Sequence, residues 1–270
     1  MRIMVFDVAA ESGGALSVLN DFYNEYKTDS WNEYIFIVSK PELKEINNIK
    51  ILRFPWIKKS WLHRLYFDYF VAPQLIKEYE VDEVLSLQNI IIPRSEVFQT
   101  VYIHNSLPFA EYKFSIFENR LLWIYQNILS KSIFNSIKKA NKVITQTEWM
   151  KKACVERLDI NREKIKVMPP KINIEVKEKF KLTKESSITF FYPASAVEFK
   201  NHKVIVEACA ELKKQGENNY KVIFTLNGDE NKAITALYKK VKEQDLDIVF
   251  IGSISRDKVF VYFSTSILIF

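Results

Sequence analysis

The chain has 270 residues, of which 48% are hydrophobic and 27% charged, and its net charge is +6. This composition is typical of a folded protein with one large domain or two smaller ones, and it argues against global disorder. With only 5 glycines and 8 prolines, collagen-like and low-complexity classes are excluded. No segment reaches the roughly 20 uninterrupted apolar residues that a membrane-spanning helix needs, so a soluble or peripheral protein is expected.

Strand-like and helix-like patterns alternate along the first 170 residues. Apolar β-rich runs predict strands, and apolar residues spaced three and four apart predict helices. The predicted strands cover residues 2–8, 33–38, 49–54, 83–86, 99–104, 142–145 and 164–168. The predicted helices cover residues 15–26, 61–78, 118–139 and 148–158. This alternation predicts a parallel sheet with helices on both faces.

Two prolines at positions 169 and 170 and a polar stretch interrupt the alternation. They predict a linker at residues 171–187, between a first domain at 1–170 and a second at 188–270. In the second domain, strands are predicted at residues 188–192, 221–226, 247–251 and 266–270, and helices at 201–214, 231–244 and 255–264. This domain is short for an α/β fold and ends on the apolar run ILIF, so a truncated domain is expected.

The segment FFYPASAVEFKNHKVIVEA, residues 190–208, has the chemistry of a phosphate site. It passes from a predicted strand through a loop into a predicted helix, which opens with Lys200, Asn201 and His202. The start of a helix presents unpaired N–H groups and the positive end of the helix dipole. A lysine at this point therefore predicts a seat for an anion, and the alternative is an ordinary exposed lysine.

Seven segments of the chain occur in the order and at the spacing of one enzyme family. Together they resemble the retaining GT-B glycosyltransferases of family 4, the group-1 transferases of surface-polysaccharide synthesis. The segments are MRIMVFDVAAESGGALSVL, YIHNSLPF, ANKVITQTEWMKKAC, IKVMPP, FFYPASAVEFKNHKVIVEA, FTLNGDEN and FIGSISRDKVFVYFSTSILIF. The resemblance implies an α/β, GT-B-like fold with two Rossmann-like, doubly wound parallel-sheet domains. The E-x7-E segment of the family would begin beyond Phe270, so the second domain is expected to be incomplete.

The resemblance implies an enzyme that moves a sugar from a nucleoside diphosphate sugar to a saccharide or lipid-linked saccharide. It implies retention of configuration, no metal and no cofactor, in the cytoplasm or on the inner face of the cytoplasmic membrane. A nucleic-acid partner that stacks bases on the aromatic residues is a remote alternative, because the uninterrupted α/β alternation contains no recognised nucleic-acid module. Lipopolysaccharide or capsule synthesis would be the setting. The expected truncation favours impaired turnover, and the alternative is a non-catalytic chain that binds an acceptor or a membrane surface. An NAD-dependent oxidoreductase is disfavoured because no G-x-G-x-x-G fingerprint is present.

The resemblance also implies roles for individual residues. His104 ends a predicted strand, at the sheet edge where open α/β folds place their sites, and is the candidate catalytic residue. The candidate donor-binding residues are Gly13, Gly14, Lys200, Asn201, Gly228, Gly252, Ser253 and Ile254. Turn chemistry alone is the alternative explanation for the glycines, and a histidine satisfied by local backbone is the alternative for His104.

Residues 49–67 combine basic and aromatic side chains without an acidic residue. Rings and lysines together suit the headgroup level of an anionic membrane. Lys58, Lys59, Trp61 and Arg64 are therefore predicted to form a membrane or acceptor surface. The alternative is a solvated basic face over core aromatics.

The two cysteines, Cys154 and Cys209, fall in predicted helices and lack a metal-ligand spacing. They are predicted to be buried structural side chains.

Overall fold

The computed structural model describes residues 1–170 and 188–268. The predicted linker, residues 171–187, lies outside the described residues. The chain divides into two compact units, Met1–Lys171 and Ile172–Phe270.

The first unit is built on a seven-stranded sheet, and every strand pair in it is parallel. Its strands β1 to β7 are Arg2–Asp7, Glu33–Val38, Ile49–Arg53, Glu83–Ser86, Phe98–Ile103, Lys142–Thr145 and Ile165–Val167. They lie in the order β3-β2-β1-β4-β5-β6-β7. The chain therefore winds outward from β1 in one direction and then from β4 in the other, as in Rossmann-like folds.

Successive residues of the central strands are buried on opposite faces of this sheet. Val5 and Phe36 pack with the helix Gly13–Tyr26, whereas Met4 and Ile37 pack with the helical segment that includes Phe67. Side chains of a strand alternate between faces, so a strand that is buried throughout must be covered on both sides. This explains why residues 3–6 of β1 and 34–38 of β2 are continuous apolar runs.

The α-helices of the first unit are Gly13–Tyr26, Trp61–Tyr66, Ala72–Glu78, Arg120–Ile124, Ser130–Lys139 and Glu148–Leu158. The two longest predicted helices each contain one turn of π-helix, at Phe67–Val71 and Tyr125–Leu129. The first helix starts two residues earlier than predicted, and it includes Gly13 and Gly14.

The described part of the second unit has four parallel strands, β8 to β11, at Ile188–Tyr192, Tyr220–Phe224, Ile248–Phe250 and Ile267–Leu268, in the order β10-β9-β8-β11. Its helices are His202–Lys214, Lys232–Glu243 and Arg256–Thr265. Phe224 packs in a core with Val206 and Val241 of the first two helices, and Phe191 stacks on Tyr262 of the third at a centroid distance of 4.7 Å. Helices thus cover both faces of this sheet too.

Both cysteines are free and buried, as predicted. Burial raises the pKa of Cys154 to about 12, so this thiol is protonated and unreactive at neutral pH. Within the described residues, no helix has the length and apolar character needed to cross a membrane.

Candidate functional site

The strand order reverses beside β1 in the first sheet and beside β8 in the second. In open α/β sheets, ligands bind outside the carboxyl ends of the strands near such a reversal. Residues at or just beyond these carboxyl ends are Asp7, Gly13, Asn89, His104, Lys200, Gly228 and Gly252. Five of these residues, Gly13, His104, Lys200, Gly228 and Gly252, are among the predicted site residues.

Gly13 and Gly14 are the first two residues of a helix, and both are exposed. A Cβ added at either would meet nothing within 4 Å, so the space around them is open. Gly13 has a φ of +59°, which favours glycine. The side chain of Ser12, the N-cap residue, makes no capping hydrogen bond. The donor-binding role of these glycines stays a prediction, and the open space around them is compatible with a ligand.

His104 and Asn89 join the loops that follow β5 and β4. Oδ1 of Asn89 accepts hydrogen bonds from the backbone N–H groups of His104, at 2.8 Å, and Asn105, at 3.0 Å. Nδ2 of Asn89 lies 3.1 Å from Nε2 of His104. Burial lowers the pKa of His104, so its ring is neutral at pH 7. The alternative prediction, a histidine whose hydrogen bonds are satisfied locally, holds for Nε2, which contacts Asn89. It does not hold for Nδ1, which is buried and has no hydrogen-bond partner among the described residues.

Asp7, the last residue of β1, is a site candidate that sequence reasoning missed. Its side chain is fully buried, and Oδ1 accepts a hydrogen bond from the N–H of Ala10 at 3.2 Å. Burial raises the pKa of Asp7 to about 7, although the Ala10 hydrogen bond and the charges of Arg64 and Lys58 act in the opposite direction. A carboxyl group with such a pKa at the carboxyl edge of a sheet is typical of functional sites. The feature of the sequence that could have indicated this candidate is an aspartate directly after the apolar residues 3–6.

Two of the four residues predicted for the membrane surface are engaged within the protein. The ammonium of Lys58 donates to the carbonyl of Ala9 at 3.0 Å and pairs with Glu11 at 3.0 Å. Nε of Arg64 donates to the buried Asp68 at 2.6 Å. Both side chains stabilise the local structure, because each forms an ion pair with a carboxylate of this protein. Lys59 and Trp61 are exposed and stay in the predicted surface.

Lys200 lies two residues before the α-helix, whose start is His202 and not residue 201 as predicted. It ends a one-turn 3-10 helix, Glu198–Lys200, and the α-helix begins at His202. Asn201 between them has a φ of +49°. The hydroxyl of Tyr192 donates to the carbonyl of Lys200 at 2.6 Å and so anchors the loop to β8. The ammonium is exposed and lies 5.7 Å from the ring centroid of Phe199.

Packing explains why glycine occurs at two of the predicted donor-binding positions. A Cβ on Gly228 would lie 2.7 Å from the ring of Tyr238, and one on Gly252 would lie 2.6 Å from Oδ1 of Asn227. Both glycines also have positive φ angles, +102° and +75°. The carboxylate of Glu230 already accepts the N–H of Gly228 at 3.1 Å. Their role toward a donor stays a prediction.

The remaining predicted donor residues lie just after Gly252. Ser253 is exposed and Ile254 is half-buried, in the segment between β10 and the helix Arg256–Thr265. Within the described part of the chain, no group of three or more histidine, cysteine, aspartate or glutamate residues has the arrangement of a metal site.

No protein-family model and no curated protein matches the sequence. Solved structures match it in fold. WaaG, a glycosyltransferase involved in lipopolysaccharide biosynthesis, aligns with a TM-score of 0.69 and 13% identity over 98% of this chain and 73% of its own. The lipopolysaccharide outer core galactosyltransferase WaaB aligns with a TM-score of 0.63 and 14% identity, over 98% and 72%. A UDP-N-acetylglucosamine 2-epimerase from Rickettsia bellii aligns with a TM-score of 0.59 and 12% identity, over 99% and 73%.

These similarities show the fold. The predicted GT-B-like architecture of two Rossmann-like units is confirmed by the parallel sheets and by their match to known glycosyltransferases. Glycosyltransferases and an epimerase share the fold, so the reaction has to be argued from the site.

Proposed function

We propose that the protein is a metal-independent, retaining glycosyltransferase of family 4. It transfers a sugar from a nucleoside diphosphate sugar to a saccharide or lipid-linked saccharide of a surface polysaccharide. The observation that carries the proposal is the position of the basic and hydrogen-bonding residues at the carboxyl ends of the strands in both units. Two of the structural matches are named as lipopolysaccharide enzymes, and the epimerase is named for a UDP-sugar, so UDP is the first nucleotide to test.

In the proposed reaction, the bond between the anomeric carbon and the diphosphate breaks. The acceptor hydroxyl oxygen bonds to the same face of that carbon, and its proton passes to the leaving phosphate. The ammonium of Lys200 compensates the charge that develops on the diphosphate. His104 contributes a hydrogen bond to a sugar hydroxyl.

Replacing Lys200 by alanine is expected to weaken the binding of UDP by about tenfold, because a charge-assisted contact to phosphate is lost. Isothermal titration with UDP, UDP-glucose, UDP-galactose and UDP-N-acetylglucosamine measures the change. Lys203→Ala is the matched control, because Lys203 is exposed on the next helix and pairs with Glu207 at 3.7 Å.

If Lys200→Ala and Lys203→Ala bind UDP with equal affinity, Lys200 does not contact the donor. If the protein releases UDP from a UDP-sugar only when an acceptor saccharide is present, the result supports transfer of the sugar to that acceptor. Binding without turnover supports the non-catalytic alternative, and conversion of the sugar without an acceptor would make the protein an epimerase and contradict the proposal.

We propose further that the first unit contacts an anionic membrane through one helix face. This aromatic face is formed by exposed side chains spaced along the helical segment that begins at Trp61. Its members are Trp61, Leu62, Leu65, Tyr66, Tyr69 and Phe70, each between 44% and 76% exposed. Exposed rings of this kind suit the headgroup region of a bilayer.

Basic groups flank the aromatic face. The guanidinium of Arg94 lies 5.0 Å from the ring centroid of Phe70 and 5.7 Å from that of Tyr69. Lys59 is exposed and lies two residues before the start of the helix at Trp61. Positive charge beside exposed apolar side chains complements anionic lipid, at roughly 1 kcal/mol for each basic residue near the surface.

The double variant Trp61→Ser/Leu65→Ser is expected to bind vesicles that contain phosphatidylglycerol about tenfold more weakly, because two apolar side chains no longer enter the interface. Sedimentation with these vesicles and with neutral phosphatidylcholine vesicles measures the change. Trp149→Ser is the control, since Trp149 is 54% exposed and belongs to a different helix. A wild-type protein that sediments with neither vesicle type would contradict the membrane proposal.

A further inference from the structure

The orientation of the Asn89 side chain follows from its neighbours. The backbone N–H groups of His104 and Asn105 both point at one atom of the Asn89 amide, at 2.8 and 3.0 Å. A backbone N–H only donates, so that atom must be the amide oxygen. Asn89 has a φ of +66°, a conformation that asparagine tolerates better than most residues. The amide is thereby fixed with its nitrogen toward the His104 ring.

The fixed amide determines which nitrogen of His104 carries the proton. The amide nitrogen of Asn89 lies 3.1 Å from Nε2 of His104, and it only donates. Nε2 must therefore accept, and a neutral imidazole that accepts at Nε2 carries its hydrogen on Nδ1. Burial lowers the pKa of His104 and so favours the neutral ring.

The resulting Nδ1–H group is a buried donor without a partner among the described residues. Buried N–H groups normally have a hydrogen-bond acceptor, so an unused one marks a place for an oxygen atom of a ligand. His104 and Asn89 follow β5 and β4, and β4 adjoins the strand-order reversal where ligands are expected.

We propose that Asn89 is a positioning residue that holds His104 as its Nδ1–H tautomer, so that the ring donates a hydrogen bond to a sugar oxygen of the donor. The nature of the ligand rests on the proposed function. The tautomer rests on the hydrogen bonds alone.

The isosteric variant Asn89→Asp tests this inference. One carboxylate oxygen still accepts the two backbone N–H groups, but the other now faces Nε2 as an acceptor and draws the proton to that nitrogen. Long-range ¹H–¹⁵N correlation spectra of the side chains report the tautomer, and with 3 histidines in the chain His104→Gln assigns the signal. The wild-type ring is expected to carry the hydrogen on Nδ1, and the Asn89→Asp ring on Nε2.

Asn105→Asp is the matched control. It places the same charge beside His104, but the Asn105 side chain accepts from the N–H of Leu107 at 3.1 Å. Its tautomer is expected to stay that of the wild type. A wild-type ring protonated on Nε2, or an Asn89→Asp variant with an unchanged tautomer, would overturn the positioning role.

Affinities for UDP and for UDP-sugars test the contact of His104 with the sugar separately from the proposed function. Asn89→Asp is expected to lose about tenfold in affinity for whichever of UDP-glucose, UDP-galactose and UDP-N-acetylglucosamine binds the wild type, with the affinity for UDP unchanged. Equal losses for UDP and UDP-sugar would show that the ring does not face the sugar. If no UDP compound binds the wild type, the proposed function and the sugar contact both fail, while the spectra still decide the tautomer.

Discussion

Replacing Arg64 by alanine is expected to lower the free energy of unfolding by about 3 kcal/mol, because a buried carboxylate loses its partner. The side chain of Arg64 is 19% exposed and that of its partner Asp68 is 5% exposed. Burial raises the pKa of Asp68, and the charge and hydrogen bond of Arg64 lower it. The other carboxyl oxygen of Asp68 has no hydrogen-bond partner among the described residues, so removal of Arg64 leaves the whole group uncompensated. Urea unfolding at pH 7 measures the loss.

A second variant, Asp68→Asn, tests whether the loss of stability comes from an unpaired buried carboxylate. In the Asp68→Asn background the same Arg64→Ala change is expected to cost much less, because the buried carboxylate to which Arg64 donates is no longer present. Lys59→Ala, at an exposed neighbouring lysine, is expected to change the stability by less than about 0.5 kcal/mol. If Arg64→Ala costs the same in both backgrounds, its role is packing and not charge compensation.

Replacing Asp7 by asparagine is expected to stabilise the protein at pH 8 by about 4 kcal/mol and to have little effect at pH 4. The pKa of Asp7 is raised from 3.8 to about 7 by burial. Between these values the folded protein retains a proton that the unfolded chain has released. The contribution of Asp7 to the free energy of unfolding therefore falls as the pH rises from about 4 to 7, by roughly 1.4 kcal/mol for each pH unit. Asparagine carries no charge at any pH and removes this dependence.

Urea unfolding of the wild type and of Asp7→Asn at pH 4, 6 and 8 measures this difference. Asp159→Asn is the control, because Asp159 is exposed and asparagine tolerates its left-handed backbone, φ +49°. The expected gap between wild type and Asp7→Asn widens with pH, and the gap for Asp159→Asn does not. A gap that narrows as the pH rises would contradict the raised pKa of Asp7.

Much of the fold was predictable because the spacing of apolar residues within each segment indicates a strand or a helix. The strand Lys142–Thr145 and the helix Glu148–Leu158 have the predicted bounds. Other ends move by one or two residues, as at β9, because an element ends where its hydrogen bonds end rather than where its apolar run does. The π turn at Phe67–Val71 has no comparable local signature, and it was not predicted.

The candidate site was only partly predictable. Positions that follow a strand, such as His104 and Lys200, could be recognised because the carboxyl edge of a parallel sheet is a known ligand position. The partners of Lys58 and Arg64 could not be recognised from the sequence. The basic residues beside aromatic ones were therefore predicted to contact a membrane. The lysine meets Glu11, which is distant in sequence, and the arginine meets Asp68 only because the helical segment buries that carboxylate.

The sequence by itself determined the alternation of strands and helices, the two-unit α/β architecture and the glycosyltransferase resemblance, because these depend on local period and short motifs. Only the tertiary structure decided which polar groups are buried and which atoms they face. Asp7 acquires its raised pKa from the chain packed around it, and Asn89 reaches His104 because β4 and β5 are neighbours in the sheet. Desolvation and hydrogen-bond direction depend on the three-dimensional surroundings, and no local pattern records them.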